Sequence, residues 1–432
     1  MVQTRPVEEE HRRITIQTLE ALFPNGLPDS VRVRLWDGSM WPDYAQEPEA
    51  QIVLNHPGAL RNMLLAGNEV GLGEAYVNED FDVSGDLEKA FECAESLERN
   101  VASIGGKLNI GSLLLRLPVR SRKVPYRGSA TLNGQVHSLS RDREAVSYHY
   151  DVSNEFYALW LDRQMVYSCA YFETPADSID VAQENKLDYI CRKLRLAPGQ
   201  RLLDIGCGWG ALVAFAAANY GVRARGVTLS KPQAEYATEL LQSLGLSDRA
   251  HVSLLDYRDI TASERYDAIV SVGMFEHVGR ETLPGYFQKV FQLLRPGGVF
   301  LNHGIASGSA RQQLEDRNTS FSQNYVFPDG ELVPISTTLR TAHEAGFEIR
   351  DLESLREHYQ LTLRHWVHRL ESNRDAVIRH VDEPTYRVWR LFMAGGAYGF
   401  GVGSLNVYQA LFVRPTEQGR SGLSLTREDW YR

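Results

Sequence analysis

The stretch from Arg201 to Gly210, RLLDIGCGWG, constrains the fold more than any other part of the chain. Arg201 to Ile205 reads as a buried parallel strand, and Gly206, Gly208 and Gly210 let the backbone turn sharply and approach a bound molecule before a helix begins near Ala211. A glycine-rich turn of this kind serves either as a nucleotide-type cradle or as a purely structural link between strand and helix. The spacing separates two ligand classes. A dinucleotide site wants G-x-G-x-x-G and an acidic residue closing the second strand, to hold a ribose hydroxyl. Here the glycines run G-x-G-x-G, and the second strand, Val222 to Leu229, closes on Thr228-Leu229-Ser230. A nicotinamide dinucleotide is therefore disfavoured.

Around this stretch, helical and strand patterns alternate: helix 211–218, strand 222–229, helix 231–244, strands 251–255 and 266–272, helix 283–294 and strand 298–303. Such alternation predicts an α/β fold with a doubly wound parallel sheet, whose ligands lie at the carboxyl ends of the strands. The residues at those ends are Gly206 to Gly210, Thr228 to Gln233, Asp256-Tyr257, Gly273 to His277 and His303 to Ile305. The N-terminal hundred residues read as a smaller α/β unit, with helical patterns over 8–23, 57–66 and 87–97 and strands at 31–36 and 52–54. Within it, Val70 to Tyr76 reads as a glycine-permitted turn that packs one helix on the next.

The organisation expected is thus an accessory domain over 1–100, a basic linker over 101–140 and a main domain over 141–432. The linker carries Lys107, Arg116, Arg120, Arg122, Lys123 and Arg127 with no acidic residue between them, interleaved with Leu113, Leu114, Leu115 and Leu117. Each basic group near an anionic lipid surface contributes about 1 kcal/mol, and the leucines could dip into the interface. A solvated linker whose leucines pack on a neighbouring domain explains the same residues.

A net charge of -9 argues against a nucleic-acid surface spread over the whole protein. Cys93, Cys169, Cys191 and Cys207 show no C-x-x-C spacing, so neither a zinc site nor a disulfide framework is suggested. The N-terminus has no apolar run of signal-peptide length, and no uninterrupted apolar stretch is long enough to span a bilayer. The expectation is a soluble cytoplasmic protein that binds membranes, if at all, at their surface.

The strand-end residues, taken with an aromatic-rich segment before the glycine strand, resemble the cyclopropane fatty acid synthase family of S-adenosylmethionine-dependent methyltransferases. The matching stretches are SYHYDVSN (147–154), YSCAYF (167–172), LDIGCGWG (203–210), GVTLSKPQ (226–233), DYRD (256–259), MFEHVG (274–279), RPGG (295–298) and NHGIAS (302–307). GLGEAY in the N-terminal unit resembles the smaller domain of the longer bacterial members. The resemblance implies a class I methyltransferase, Rossmann-like sheet. It also implies S-adenosylmethionine contacts from Tyr167, Ser168, Asp204, Gly206, Gly208, Thr228, Gln233, Asp256 and Tyr257. In the family a bicarbonate ion is held beside the reacting methyl by residues matching Cys169, Glu276, His303, Ile305 and Tyr359. Two departures stand out. Gly395 or Gly396 occupies the place of a family cysteine, read here as widening an acyl tunnel, and Gly304 replaces an expected threonine.

The chemistry implied explains these residue types. An alkene within a lipid chain has no proton to remove beforehand, so the protein can only align it with the sulfonium methyl in a dry pocket. Methyl transfer leaves a carbocation, and ring closure then requires a base near the added methyl. Aromatic residues in 148–172 and 321–335 are candidates for the tunnel walls, with 321–334 placed as a substrate lid. Cys207 reads as a packing residue. The function expected is cyclopropanation of unsaturated phospholipid acyl chains at the inner face of the membrane, and a homodimer is compatible with it. The alternatives are a methylene- or methyl-branched product, a small-molecule methyltransferase and a non-catalytic binding module.

Overall fold

The computed structural model describes residues 4–43, 47–100, 104–119, 134, 138, 141–142, 144–145, 152–261, 263–308 and 320–431. The chain forms two compact units. Tyr148 to Asp151 and the basic residues Arg120, Arg122, Lys123 and Arg127 lie outside the described residues.

The larger unit carries a seven-stranded sheet. Its strands are β5 (Arg201–Ile205), β6 (Arg223–Thr228), β7 (Ala250–Leu254), β8 (Tyr266–Val272), β9 (Leu294–Ser307), β10 (Glu348–Ser354) and β11 (Leu405–Val413). Across the sheet they run β10-β11-β9-β8-β5-β6-β7. β5 to β9 pair in parallel, as the alternation predicts, while β11 runs antiparallel between β9 and β10. Adjacent residues of each central strand serve opposite cores. Leu202, Val270, Leu301 and Leu411 pack with the helices Ile179–Lys193 and Ala211–Tyr220 on one face. Leu203, Ile269, Phe300 and Phe412 pack on the other face with Phe287, Val290 and Phe347. A strand buried on both faces needs a continuous apolar run, which is what these sequences supply.

The smaller unit holds a four-stranded sheet of β1 (Val31–Arg34), β2 (Met40–Trp41), β3 (Ala50–Leu54) and β4 (Phe81–Gly85), in the order β2-β1-β3-β4. It also takes in the helices Ile104–Arg116 and Phe321–Tyr325, with residues 383–398 of the late helix Glu383–Gly401. The start of the basic stretch is therefore helical. Ile110, Leu114 and Leu117 recur on one face and are buried.

Val70 to Tyr76 is helical, not a turn. It lies in the helix Glu69–Val77, where the Asn68 side chain caps the Gly71 N–H at 2.8 Å and Glu69 occupies the favourable first turn. Its residues receive segments from far along the chain. The Phe321 ring lies where a Gly73 side chain would be, Tyr325 donates to Glu74 Oε1 at 2.6 Å, and Arg390 donates to the Tyr76 hydroxyl at 2.7 Å. Arg387, buried, sits 4.0 Å over the Tyr76 ring and donates to the carbonyls of Tyr76 and Phe81. Gly73→Val is therefore expected to destabilise the protein by roughly 1–3 kcal/mol through overpacking. Thermal unfolding beside Gly111→Ala, a helical glycine with open space at the Cβ position, checks it. Equal melting temperatures for the two would refute the docking role.

Candidate active site

β5 ends at Ile205, and the backbone turns at Gly206 with φ +81°, donating its N–H to Val227 O on β6 at 2.9 Å. A Cβ on Gly206 would come within 2.7 Å of Met274, so the loop can lie against the end of β8 only as glycine. Gly208, with φ +53°, has no atom within 4 Å of its Cβ position and leaves its face open to a ligand. Cys207 fills the space above Gly226, the packing role its sequence position suggests.

A cavity of about 150 Å³ opens at these strand ends. All nine residues expected to hold the cofactor line it: Tyr167, Ser168, Asp204, Gly206, Gly208, Thr228, Gln233, Asp256 and Tyr257. Thr228 Oγ1 donates to Gln233 Oε1 at 2.9 Å, so the end of β6 and the helix behind it form one polar wall. Tyr167 belongs to an aromatic cluster, its ring 5.7 Å from Tyr157, 5.5 Å from Trp160 and 5.3 Å from Trp366. Asp256 is buried and receives Arg258 through its backbone N–H and its guanidinium, which also reaches Asp142 at 2.8 Å. A glycine cradle beside a carboxylate, with Tyr257 at its rim, suits a cationic adenosyl ligand.

The same wall contains a charge that sequence reasoning overlooks. Lys186, from the helix Ile179–Lys193, is buried on the cavity and donates to Ser168 Oγ at 2.8 Å. Burial pulls its pKa down to about 8, against the carboxylates of Asp162 and Asp204. Burial pushes Asp204 up to about 7, and Lys186 opposes that rise. Gln183, one turn earlier, donates to the carbonyls of Val166 and Ser168 and fixes the strand-like segment that carries Tyr167 and Ser168. The signal was present in the sequence. Ile179, Ala182, Gln183, Lys186, Ile190 and Lys193 form one buried helical face, so an amide and two lysines sit where apolar residues belong.

The five residues expected around a bicarbonate do not line that cavity, although their neighbours Ser168, Met274 and His277 do. Glu276 stands on the short 3₁₀ turn Phe275–His277 after β8 and accepts the Ile305 N–H at 2.7 Å through Oε1. β8 has already ended opposite Ile305, so the sheet leaves that N–H for a side chain. Glu276 Oε2 is buried with no hydrogen-bond partner among the described residues, and burial raises its pKa to about 7. His303 shares the strand face of Ile305; its Nε2 is likewise buried without a partner, and burial with the nearby lysine cations holds it neutral. The thiol of Cys169 contacts the carbonyls of Ala170 and Leu355, and burial pushes its pKa up, so it is no thiolate nucleophile. Leu355 O also accepts the Tyr359 N–H, and Leu355 N–H donates to Val407 O, whose residue is paired with Ile305. The Tyr359 ring lies 4.6 Å from Phe400. One backbone segment thereby ties Cys169 and Tyr359 to the Glu276–Ile305 pair.

Both departures from the family pattern have steric explanations. Gly304 lets Phe275 pack at its Cβ position, where an added Cβ would meet the ring at 3.1 Å. At Gly395 an added Cβ would meet the Phe91 ring at 3.0 Å, so that position opens no free space for a tunnel. Among the described residues no cluster of His, Cys, Asp or Glu is arranged to hold a metal, and no helix is long and apolar enough to cross a membrane.

Comparison with known proteins gives concordant findings. Residues 137–410 match the family described as mycolic acid cyclopropane synthetase, and residues 18–103 match a domain of unknown function (DUF7884). The chain is 40% identical over 403 residues to a probable fatty acid methyltransferase of Pseudomonas putida, covering 93% of this chain and 96% of that protein. It is 36% identical over 271 residues to the cyclopropane-fatty-acyl-phospholipid synthase of Escherichia coli strain K12, covering 63% and 68% of the two chains. The crystal structure of mycolic acid cyclopropane synthase CmaA1 complexed with SAH and CTAB superposes with a TM-score of 0.59 at 34% identity, over 62% of this chain and 97% of that one.

Proposed function

Since the chain belongs to the mycolic acid cyclopropane synthetase family and is an S-adenosylmethionine-dependent methyltransferase, we propose that it methylates the cis double bond of unsaturated phospholipid acyl chains and closes a cyclopropane ring there. The observation that carries this reading is two buried polar atoms without partners among the described residues, Glu276 Oε2 just after β8 and His303 Nε2 across from its last residue, Val272, which lines the cofactor cavity. A buried acceptor and a buried ring nitrogen left unpaired are costly unless a ligand pairs with them.

S-adenosylmethionine supplies an electrophilic methyl on a sulfonium. Asp204, the glycine loop, Gln233 and Asp256 orient it, and the aromatic cluster around Tyr167 keeps water away from the reacting carbon. A bicarbonate between Glu276 and His303 would supply a base, with Glu276 accepting its proton. Attack of the alkene would form a carbon–carbon bond to the methyl as the carbon–sulfur bond breaks, releasing the thioether S-adenosylhomocysteine and leaving a cation on the neighbouring alkene carbon. Loss of a proton from the new methyl closes the ring, its C–H electrons forming the last bond. This reading puts the reaction at the membrane surface. In the smaller unit, Leu108, Leu115 and Val119 are 72%, 61% and 67% exposed on and just after the helix Ile104–Arg116, which supports apolar insertion at a lipid interface.

A second reading keeps the transfer and changes the product. A hydride shift onto the cationic carbon, followed by loss of a methyl proton, gives a methylene-branched chain. It draws support from the near full-length match to a protein named a fatty acid methyltransferase. Incubating the protein with methyl-labelled S-adenosylmethionine and vesicles of cis-unsaturated phospholipid, then analysing the fatty acids by mass spectrometry and proton NMR, tests both. Ring-proton signals are the expected result, and olefinic methylene signals would select the second reading. No label in lipid from a cofactor-binding protein would overturn both in favour of a small-molecule acceptor.

A further inference from the structure

Gln409 is buried on β11, directly across the antiparallel pairing from His303 on β9. Its side-chain Nε2 lies 3.2 Å from His303 Nδ1, while its Oε1 has no partner among the described residues. A neutral imidazole carries one N–H and one lone pair, and the partner of one nitrogen decides the role of the other. With the amide nitrogen facing Nδ1, one Gln409 carbonyl is left unpaired. An amide nitrogen can only donate, so the ring nitrogen facing it accepts and the imidazole proton lies on Nε2. We propose that Gln409 is a positioning residue that donates to His303 Nδ1 and holds the imidazole as the Nε2–H tautomer, so that His303 offers a donor and Glu276 an acceptor to one small oxyanion.

The assignment rests on the proposed anion site for its purpose, though not for its geometry. An anion that carries both a hydroxyl and a charged oxygen, as bicarbonate does, matches one donor and one acceptor. Two acceptors facing it would repel it. His303 also remains neutral next to the cations of Lys186 and Lys193 and the His358 ring, so tautomer rather than charge sets its role.

The test is nitrogen NMR of the full chain enriched in ¹⁵N-histidine, with the His303 signals identified by their loss in His303→Asn. The wild type should show a protonated Nε2 and an unprotonated Nδ1. Gln409→Glu places an acceptor opposite Nδ1 and should move the proton to it, and Gln409→Met should give a mixture of the two forms. Both substitutions should lower methyl-transfer turnover by roughly 10²-fold while the dissociation constant for S-adenosylmethionine stays within twofold. A protonated Nδ1 in the wild type overturns the proposal even if neither variant folds, and so does an unchanged tautomer in a folded Gln409→Glu protein. Bicarbonate depletion and re-addition is read separately. Turnover indifferent to it would sink the anion site while leaving the tautomer assignment standing.

Discussion

Glu276→Gln is expected to lower product formation by roughly 10²- to 10⁴-fold, the range for loss of a positioned acid–base group, with S-adenosylmethionine affinity unchanged. The amide is nearly isosteric and its oxygen can still accept the Ile305 N–H, so the loop after β8 should keep its place. What disappears is the second oxygen, which has no partner among the described residues and is the acceptor available to a proton leaving the site. The pH profile makes the prediction sharper. Burial holds the Glu276 carboxyl up at about 7, so it is protonated below that pH and ionised above it. A group that must accept a proton acts in its ionised form, and wild-type turnover should therefore rise as pH passes through about 7. In Glu276→Gln that limb should vanish, leaving slow turnover that no longer responds there. Single-turnover assays with labelled cofactor and phospholipid vesicles from pH 6 to pH 9, beside calorimetric binding of the cofactor, make the measurement. Unchanged turnover would remove Glu276 from the chemistry. A slow variant that keeps the limb would assign the titration to another group, Asp204 first, since burial brings it to about 7 as well.

The contrast between these two carboxylates shows what the sequence could convey. Asp204, the glycines and the other cofactor residues are written in short local strings, because a strand, a turn and a helix N-terminus must follow one another within a few residues to build a cradle. All of them reached one cavity. β10 and β11 were not legible in the same way. β10 reads EIRDLES at the edge of the sheet, where no residue is fully buried and no continuous apolar run is required. β11 arrives after two long helices and inserts between strands far earlier in the chain. Gln409 faces His303 only because β11 and β9 are paired in one register, and the Ile305 N–H reaches Glu276 because β8 stops short of it along β9. GLGEAY failed for a related reason. Its glycines looked like a turn, but Gly73 is needed for a phenylalanine 248 positions later, a contact that no local pattern announces.

Lys186→Met should weaken S-adenosylmethionine binding by about 10- to 100-fold, the equivalent of one charge-assisted hydrogen bond, and should move the pH dependence that Asp204 imposes on that binding, set near 7 in the wild type, to higher pH. The ammonium is fully enclosed, hydrogen-bonded to Ser168 and close to Asp162, Asp204 and Cys169. Methionine matches its length without its charge. With the cation present, Asp204 is pulled down against the rise that burial imposes; without it, the Asp204 pKa climbs above about 7 and the carboxyl is neutral at ordinary pH. A neutral Asp204 no longer complements a cationic ligand or orients the glycine loop from its charged form. The deficit should therefore be largest at neutral pH and shrink as rising pH ionises Asp204. Calorimetry at several pH values in buffers of different ionisation enthalpy reads this directly, as affinity and as protons released on binding. A uniform loss at every pH, together with a lower melting temperature, would mean that Lys186 only fills space between the helix and the Ser168 segment. Recovery at high pH is the outcome that a packing role cannot produce, and it would place the lysine among the groups that set the charge of the cofactor cavity.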